Sequence, residues 1–200
     1  MKHHSHSETE RIKLFSDGFF AIIITIMVLE IHPPNDATLH ALLGVLPSLL
    51  SYILSFLYLG IYWNNHHHLL HATDTITGGM LWANLHLLFW LSLIPFATSW
   101  IGRSVGGILP TVLYGIVLLM AACAYFILQS RIIMNEGKES RLAKAIGKDP
   151  KGKASLALYL LAIATSFLQP WIAYVIFAIV AILWIVPDKR LQKFFDHLDD

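Results

Sequence analysis

Apolar residues fill this chain in long runs separated by short polar breaks. A bilayer core about 30 Å thick is crossed by about 20 apolar residues in a helix. The runs read as six such spans, at about 14–31, 39–63, 80–101, 108–128, 154–168 and 170–186. His32, Pro33, Pro34, Asn35 and Asp36 end the first. Pro47 predicts a kink in the second, and Pro95 lies inside the third. A histidine-rich stretch from Asn64 to Thr77 follows the second span, glycines 102, 106 and 107 follow the third, and polar residues 129–153 follow the fourth. The run from Ala154 to Val186 has 33 residues and would be about 50 Å long as one helix, too long for one crossing without heavy tilt. Gln169-Pro170-Trp171 divides it into two short spans, and Pro187 and Asp188 close the second. The fold class that follows is all-α: one polytopic membrane domain over residues 1–200, with six transmembrane helices per protomer.

The first span organises the rest. From Leu14 to Leu29 its one ionisable group is Asp17, and its other hydrophilic side chains are Ser16 and Thr25. A carboxylate in lipid costs roughly 2.5–3.5 kcal/mol on insertion scales, so it is expected to face protein. At about 100° per residue, Phe15, Gly18, Ile22, Thr25, Ile26 and Leu29 share one face. Ser16 and Asp17 lie away from it, near Phe20 and Ile24, with Ile23 on a flank. Pattern alone leaves two readings open: an ordinary buried helix with a capping Ser-Asp pair, or a two-faced helix with a separate task for each side.

Composition agrees with the membrane reading. The chain is 56% hydrophobic and 14% charged, against about 25% charged in soluble domains. A net charge of +1 gives no basic field for nucleic acid. The single cysteine, Cys123, excludes an intrachain disulfide and a CxxC metal site, and reads as a small core residue. MKHHSHSETE has no signal-peptide h-region, and His3, His4 and His6 carry no assigned role. Ser7 or Thr9, with nearby glutamates, is a candidate first cap.

Charge sets the orientation. With six spans, thirteen of the fourteen Lys and Arg residues lie on the side of both termini, and Arg103 alone lies opposite. By the positive-inside rule both termini are cytoplasmic.

Polar constellations are few. His67 and His71 stand at i, i+4, a spacing that can bind zinc, with His68 and Asp74 nearby. The same residues suit a solvated helix end. Asn84, His86 and Ser92 sit in an apolar helix and need partners. Asp17 is the first candidate, and local backbone bonds are the alternative. Thr111-Val112-Leu113-Tyr114-Gly115 resembles a TVGYG filter but lacks its central glycine and lies within a helical span. A carbonyl filter needs non-helical backbone, so that reading is set aside. No GxSxG, HExxH, P-loop or dinucleotide turn is present, and Asp17 and Glu30 are about 20 Å apart along one helix, so an enzyme is not expected. Trp63, Trp100, Trp171 and Trp184 read as interfacial belt residues.

The motif R-x-x-x-F-S-D with G-F-F-A-I, carried by Arg11, Phe15, Ser16 and Asp17, resembles the first helix of the transmembrane protein 175 family of lysosomal potassium channels and their bacterial relatives. YWNNHHHLLHATD and LWANLHLLFWLSLIPFATSWIG resemble its second and third helices. At 200 residues the chain looks like the single-repeat, bacterial form. The resemblance implies a homotetrameric, potassium-selective leak channel in the cell membrane, with the first helix lining a central pore. It implies no cofactor or metal, no small-molecule substrate and no partner beyond the bilayer and its own copies, with potassium as the permeant ion. It also adds a third reading of the histidines, in which His67 supports the Ser16-Asp17 turn beside Asn84. In four symmetric copies Ile22, Thr25, Ile26 and Leu29 would form stacked rings, hydrophobic ones that gate by dewetting and a hydroxyl ring that weakly coordinates a cation. A secondary transporter of a small solute also suits six spans with few buried polar groups, although no pair of broken segments shows inverted symmetry.

Overall fold

The structure is a computed structural model. It describes residues 2–73, 75–137, 139–147 and 149–185, with side chains from Thr9 onward except those of Arg141 and Ala145. The first helix begins at Lys2, so Ser7 and Thr9 lie inside it and neither is its cap; the N-terminal histidine side chains, Asp74, Val186, Pro187, Asp188, and the charges of Lys2, Lys138, Arg141, Lys148, Lys189, Arg190 and Lys193 lie outside the described residues.

Among the described residues every regular element is helical: α1 Lys2–Leu29, α2 Leu39–His71, α3 Gly78–Ser92, α4 Ile94–Arg103, α5 Ile108–Glu136, α6 Arg141–Ile146, α7 Pro150–Ser166 and α8 Pro170–Ile185. Four stretches are long and apolar enough to cross a membrane: Thr9–Leu29, Leu39–His71, Gly78–Arg103 and Ile108–Glu136. The protein is therefore an all-helical membrane protein.

Local chemistry explains the boundaries. Thr38 starts α2 from an extended backbone, its hydroxyl accepting from the Ala41 amide at 3.2 Å. Thr77 does the same for α3 with Met80 at 3.3 Å. Such caps satisfy amide groups that no turn of helix can reach. Pro95 has no N–H and its ring crowds the carbonyl four residues back, so the third apolar run breaks at Leu93 into α3 and α4.

Three helices outrun the apolar spans expected of them, α1 by beginning at Lys2. Helix α2 continues through the histidines to His71, and α5 continues to Glu136, with the short α6 beyond it. At 33 residues α2 is about 50 Å long, so its polar end extends past the hydrocarbon layer.

Helix α3 packs on α5, α5 on α7, α7 on α8, and α2 on α4. The core holds Leu87, Leu91, Leu118, Ala121, Leu128 and Phe177, none of them exposed. Polar groups inside it are paired. Thr98 donates to Ser55 at 2.7 Å, Ser55 and Tyr114 share a bond of 2.9 Å, and Tyr58 donates to the Phe177 carbonyl at 2.6 Å. Tyr114 is thus a buried tie between α2 and α5, and the whole Thr111–Gly115 stretch is helical.

Gly102 sets how closely α4 approaches α2. A Cβ there would lie 2.8 Å from the Ser48 Cα, a backbone atom that cannot swing aside. Gly102→Ala is expected to cost about 1–3 kcal/mol by overpacking. A fall in thermal unfolding temperature of the detergent-solubilised protein checks this, with Gly44→Ala, where no atom lies within 4 Å, as the unperturbed control.

Candidate functional site

Helix α1 is held by one side. Ser16, Phe20, Ile23 and Met27 repeat at i, i+4, i+7 and i+11 and are 0–3% exposed. The opposite side is bare: Ile22 is 60%, Ile26 46% and Leu29 73% exposed in the protomer. Thr25 and Gly18 are exposed on the same strip. Ile23, placed on a flank by the projection, belongs to the packed side.

Two polar contacts anchor the Ser16-Asp17 region of α1 to two different helices. The Asn84 amide on α3 donates to Ser16 Oγ at 3.1 Å, and its Oδ1 meets His66 Nε2 at 2.7 Å. Because Oδ1 only accepts, Nε2 carries the proton in this arrangement. Ser16, His66 and Asn84 are 0, 1 and 4% exposed, so none of these groups can turn to water for a substitute partner. The His66 ring also packs against Phe20, with centroids 5.8 Å apart. Asp17 turns to α2 instead, accepting from the Trp63 indole at 2.9 Å.

The structure corrects two details of the sequence reading. The histidine bonded to the network is His66, not His67. His67 stands on the next side of α2, in a stack with Trp63 at 5.8 Å and His71 at 4.4 Å. Asn84 pairs with Ser16 and His66 rather than with Asp17. Trp63, read as a belt residue, has a hydrogen-bonding task as well. His86 bonds Trp90 within its own helix, and Ser92 bonds the Phe89 carbonyl. Arg11 and Phe15 are both exposed, on the bare side of α1. Among the described residues no three His, Cys, Asp or Glu side chains are grouped to hold a metal.

Thr25 has a specific hydroxyl geometry. Its Oγ1 donates to the Ala21 carbonyl at 2.8 Å. The hydroxyl hydrogen is thus engaged within the helix, and the oxygen lone pairs remain as acceptors on the exposed strip.

At the other end of α1 lies a cluster that sequence reading did not find. Glu30 Oε2 accepts from Ser99 at 3.0 Å and pairs with Arg103 Nη2 at 3.4 Å. The same guanidinium reaches the Glu30 carbonyl at 3.2 Å and His32 Nδ1 at 3.0 Å. These contacts tie the end of α1 to α4. The signal available in the sequence was the isolation of Arg103 among the charges, which had been used for orientation alone.

The chain is thus an all-helical membrane protein whose first helix carries R-x-x-x-F-S-D on a polar anchor and leaves an aliphatic strip free. The chain belongs to the TMEM175 family, described as endosomal/lysosomal potassium channel TMEM175, whose model matches residues 11–95. This is a channel family and not an enzyme class. A potassium channel of Chryseobacterium sp. (strain P1-3) is 52% identical over 183 residues, covering 92% of this chain and 95% of the relative. A potassium channel of Chamaesiphon minutus is 30% identical over 195 residues, covering 88% and 93%. The crystal structure of a lysosomal potassium-selective channel TMEM175 homolog from Chamaesiphon minutus superposes with a TM-score of 0.78 at 28% identity, over 90% of this chain and 97% of that one.

The buried anchor makes a stability prediction. Asn84→Leu strands Ser16 and the His66 N–H together, and is expected to cost about 1–3 kcal/mol for each group left unsatisfied. Trp63→Phe frees a carboxylate that is only half-buried and is expected to cost less. The ratio of the two losses in thermal unfolding temperature checks the ranking.

Proposed function

We propose that this chain forms a homotetrameric, potassium-selective leak channel in the cell membrane, with α1 of each copy around a central axis. The observation that carries the reading is the bare aliphatic strip on a helix fixed by its other side. One copy leaves Ile22, Thr25, Ile26 and Leu29 without any partner from its own core. Four copies turned inward bring them together as rings. Ile22, Ile26 and Leu29 cover about 10 Å of axis at 1.5 Å per residue and form a dry constriction. Thr25 supplies the side-chain oxygens in that passage, aimed outward because its hydrogen is bound to Ala21. Relatives described as potassium channels support potassium as the ion, and no cofactor is called for.

In this reading each protomer crosses six times, by α1, α2, α3 with α4, α5, α7 and α8. Helices α7 and α8 have 17 and 16 residues, about 25 Å each. They are short for a 30 Å core but are joined by a turn at Phe167–Gln169, where Gln169 N bonds the Thr165 carbonyl at 2.8 Å. Both termini then lie in the cytoplasm with the Lys-rich segments. Arg11, Phe15, Ser16 and Asp17 form the inner mouth and its support, and Asp17 stays off the conduction path because it faces α2.

The test is reversal potential under bi-ionic potassium and sodium, on purified protein in planar bilayers. Ile22→Asn is expected to raise conductance and relax discrimination, and Thr25→Val to lower selectivity with the tetramer intact. Ile24→Ala, on the opposite side of α1, is expected to change neither. Equal shifts for Ile22 and Ile24 variants would overturn the assignment. Slow saturable exchange with no unitary currents would favour a carrier.

A further inference from the structure

Near the cytosolic end of the proposed bundle, α2, α5, α7 and α8 border a partly open pocket of about 50 Å³. Its wall includes Tyr62, Tyr125, Tyr159 and Trp184, with Asp149 at one side. The rings are fixed by protein contacts. Tyr62 and Tyr125 meet edge to face at 6.1 Å. The Tyr125 hydroxyl bonds the Asn65 carbonyl at 3.3 Å, and the Trp184 indole bonds Ser155 Oγ at 2.8 Å. With those two polar ends engaged, the wall still offers aromatic rings, the polar side chains of Tyr62, Tyr159 and Asn65, and the Asp149 carboxylate.

Asp149 is held in an unusual backbone state. Its φ of 43° is left-handed, alone among the described non-glycine residues. Asp149 Oδ1 accepts from the Gly152 amide at 2.9 Å, and a Cβ on Gly152 would overlap the carboxylate. The first turn of α7 is thus built to seat this carboxylate beside the tyrosines.

We propose that this pocket binds a primary ammonium group. Electron-rich ring faces attract cations, most strongly when water is excluded. The N-terminal dipole of α7 and the Lys151 and Lys153 charges in its first turn oppose a cation, and Asp149 supplies the carboxylate in the pocket wall. Size selects among ammonium groups. One water needs about 10–15 Å³ on this measure, so the pocket has room for roughly three or four waters. That suits a methylammonium or ethanolamine amine and is tight for a trimethylated one. The source is either a soluble amine or the amine of an ethanolamine lipid headgroup. The proposal is independent of the conduction reading.

The experiment uses the full-length protein in phosphatidylglycerol nanodiscs, titrated with methylammonium chloride against equimolar potassium chloride and choline chloride. A saturable rise in thermal unfolding temperature is expected with methylammonium beyond the other two. Asn caps helices as well as Asp and tolerates left-handed backbone. Asp149→Asn is therefore expected to keep the unliganded unfolding temperature while raising the methylammonium midpoint at least tenfold. Tyr62→Leu, which removes a ring and leaves the carboxylate, is expected to weaken binding as well. In discs of phosphatidylethanolamine the midpoint rises if the headgroup is the resident ligand, and is unchanged if a soluble amine is. A methylammonium effect equal to that of potassium chloride, or one unaltered in both variants, would overturn the proposal and leave a water-filled pocket.

Discussion

The constraint on which the rest depends is that polar groups in a membrane protein have no solvent to fall back on. Ser16, His66 and Asn84 therefore have to solve their hydrogen bonding among themselves. That requirement fixes the rotation of α1 about its own axis. Once Ser16 points at α3 and Asp17 at α2, the positions half a turn away have no freedom to pack inward. The bare strip of Ile22, Thr25, Ile26 and Leu29 is the geometric consequence of two hydrogen bonds on the other side. A row of apolar side chains alone would not define such a face, because hydrocarbon gives one aliphatic side no advantage over another.

Much of this was legible in the sequence because the signals are periodic or punctuated. The separation of Ser16 from Ile22 follows from helical angle alone. The turn before Pro170 follows from a missing N–H and a fixed φ, whereas Pro95 reads as lying inside one span and in the structure divides it into α3 and α4. The choice of His66 over His67 was not legible. Adjacent residues on a helix differ by about 100°, and which of three consecutive histidines faces Asn84 depends on the rotation of α2 against α3. Periodicity gives relative angles within one helix and leaves the phase between helices to packing. Asn84 was found for a different reason: an amide in an apolar run announces that it needs a partner, without naming one.

The buried ties outside α1 escaped for a similar reason. Ser55, Thr98 and Tyr114 are spread over 60 residues and read singly as tolerated polar or aromatic positions. Their meaning lies in being paired, which is a property of three helices at once. The Glu30-Arg103 cluster behaves the same way. Glu30 stands near the end of one apolar run and Arg103 just past another, and neither run names the other as a partner. Their contact ties the C-terminal end of α1 to α4 as the Ser16-Asp17 region is tied to α2 and α3.

The two attachments are not equivalent, and the difference has a physical consequence. The Ser16-His66-Asn84 anchor is buried, so losing one member leaves groups unsatisfied. The Glu30-Arg103 pair is about half exposed, with Arg103 at 52% and Glu30 at 45%. Exposed pairs of this kind contribute about 0–1 kcal/mol each and weaken with salt. The C-terminal end of α1 is thus held less firmly than the Ser16-Asp17 region, and it is the C-terminal end that carries Leu29. Any small displacement of α1 therefore acts as a tilt about the Ser16-Asp17 region. Leu29, thirteen residues from Ser16, moves furthest in such a tilt, and Ile22 moves about half as far. The two ends of the strip therefore differ in how firmly α1 holds them, without a separate moving part.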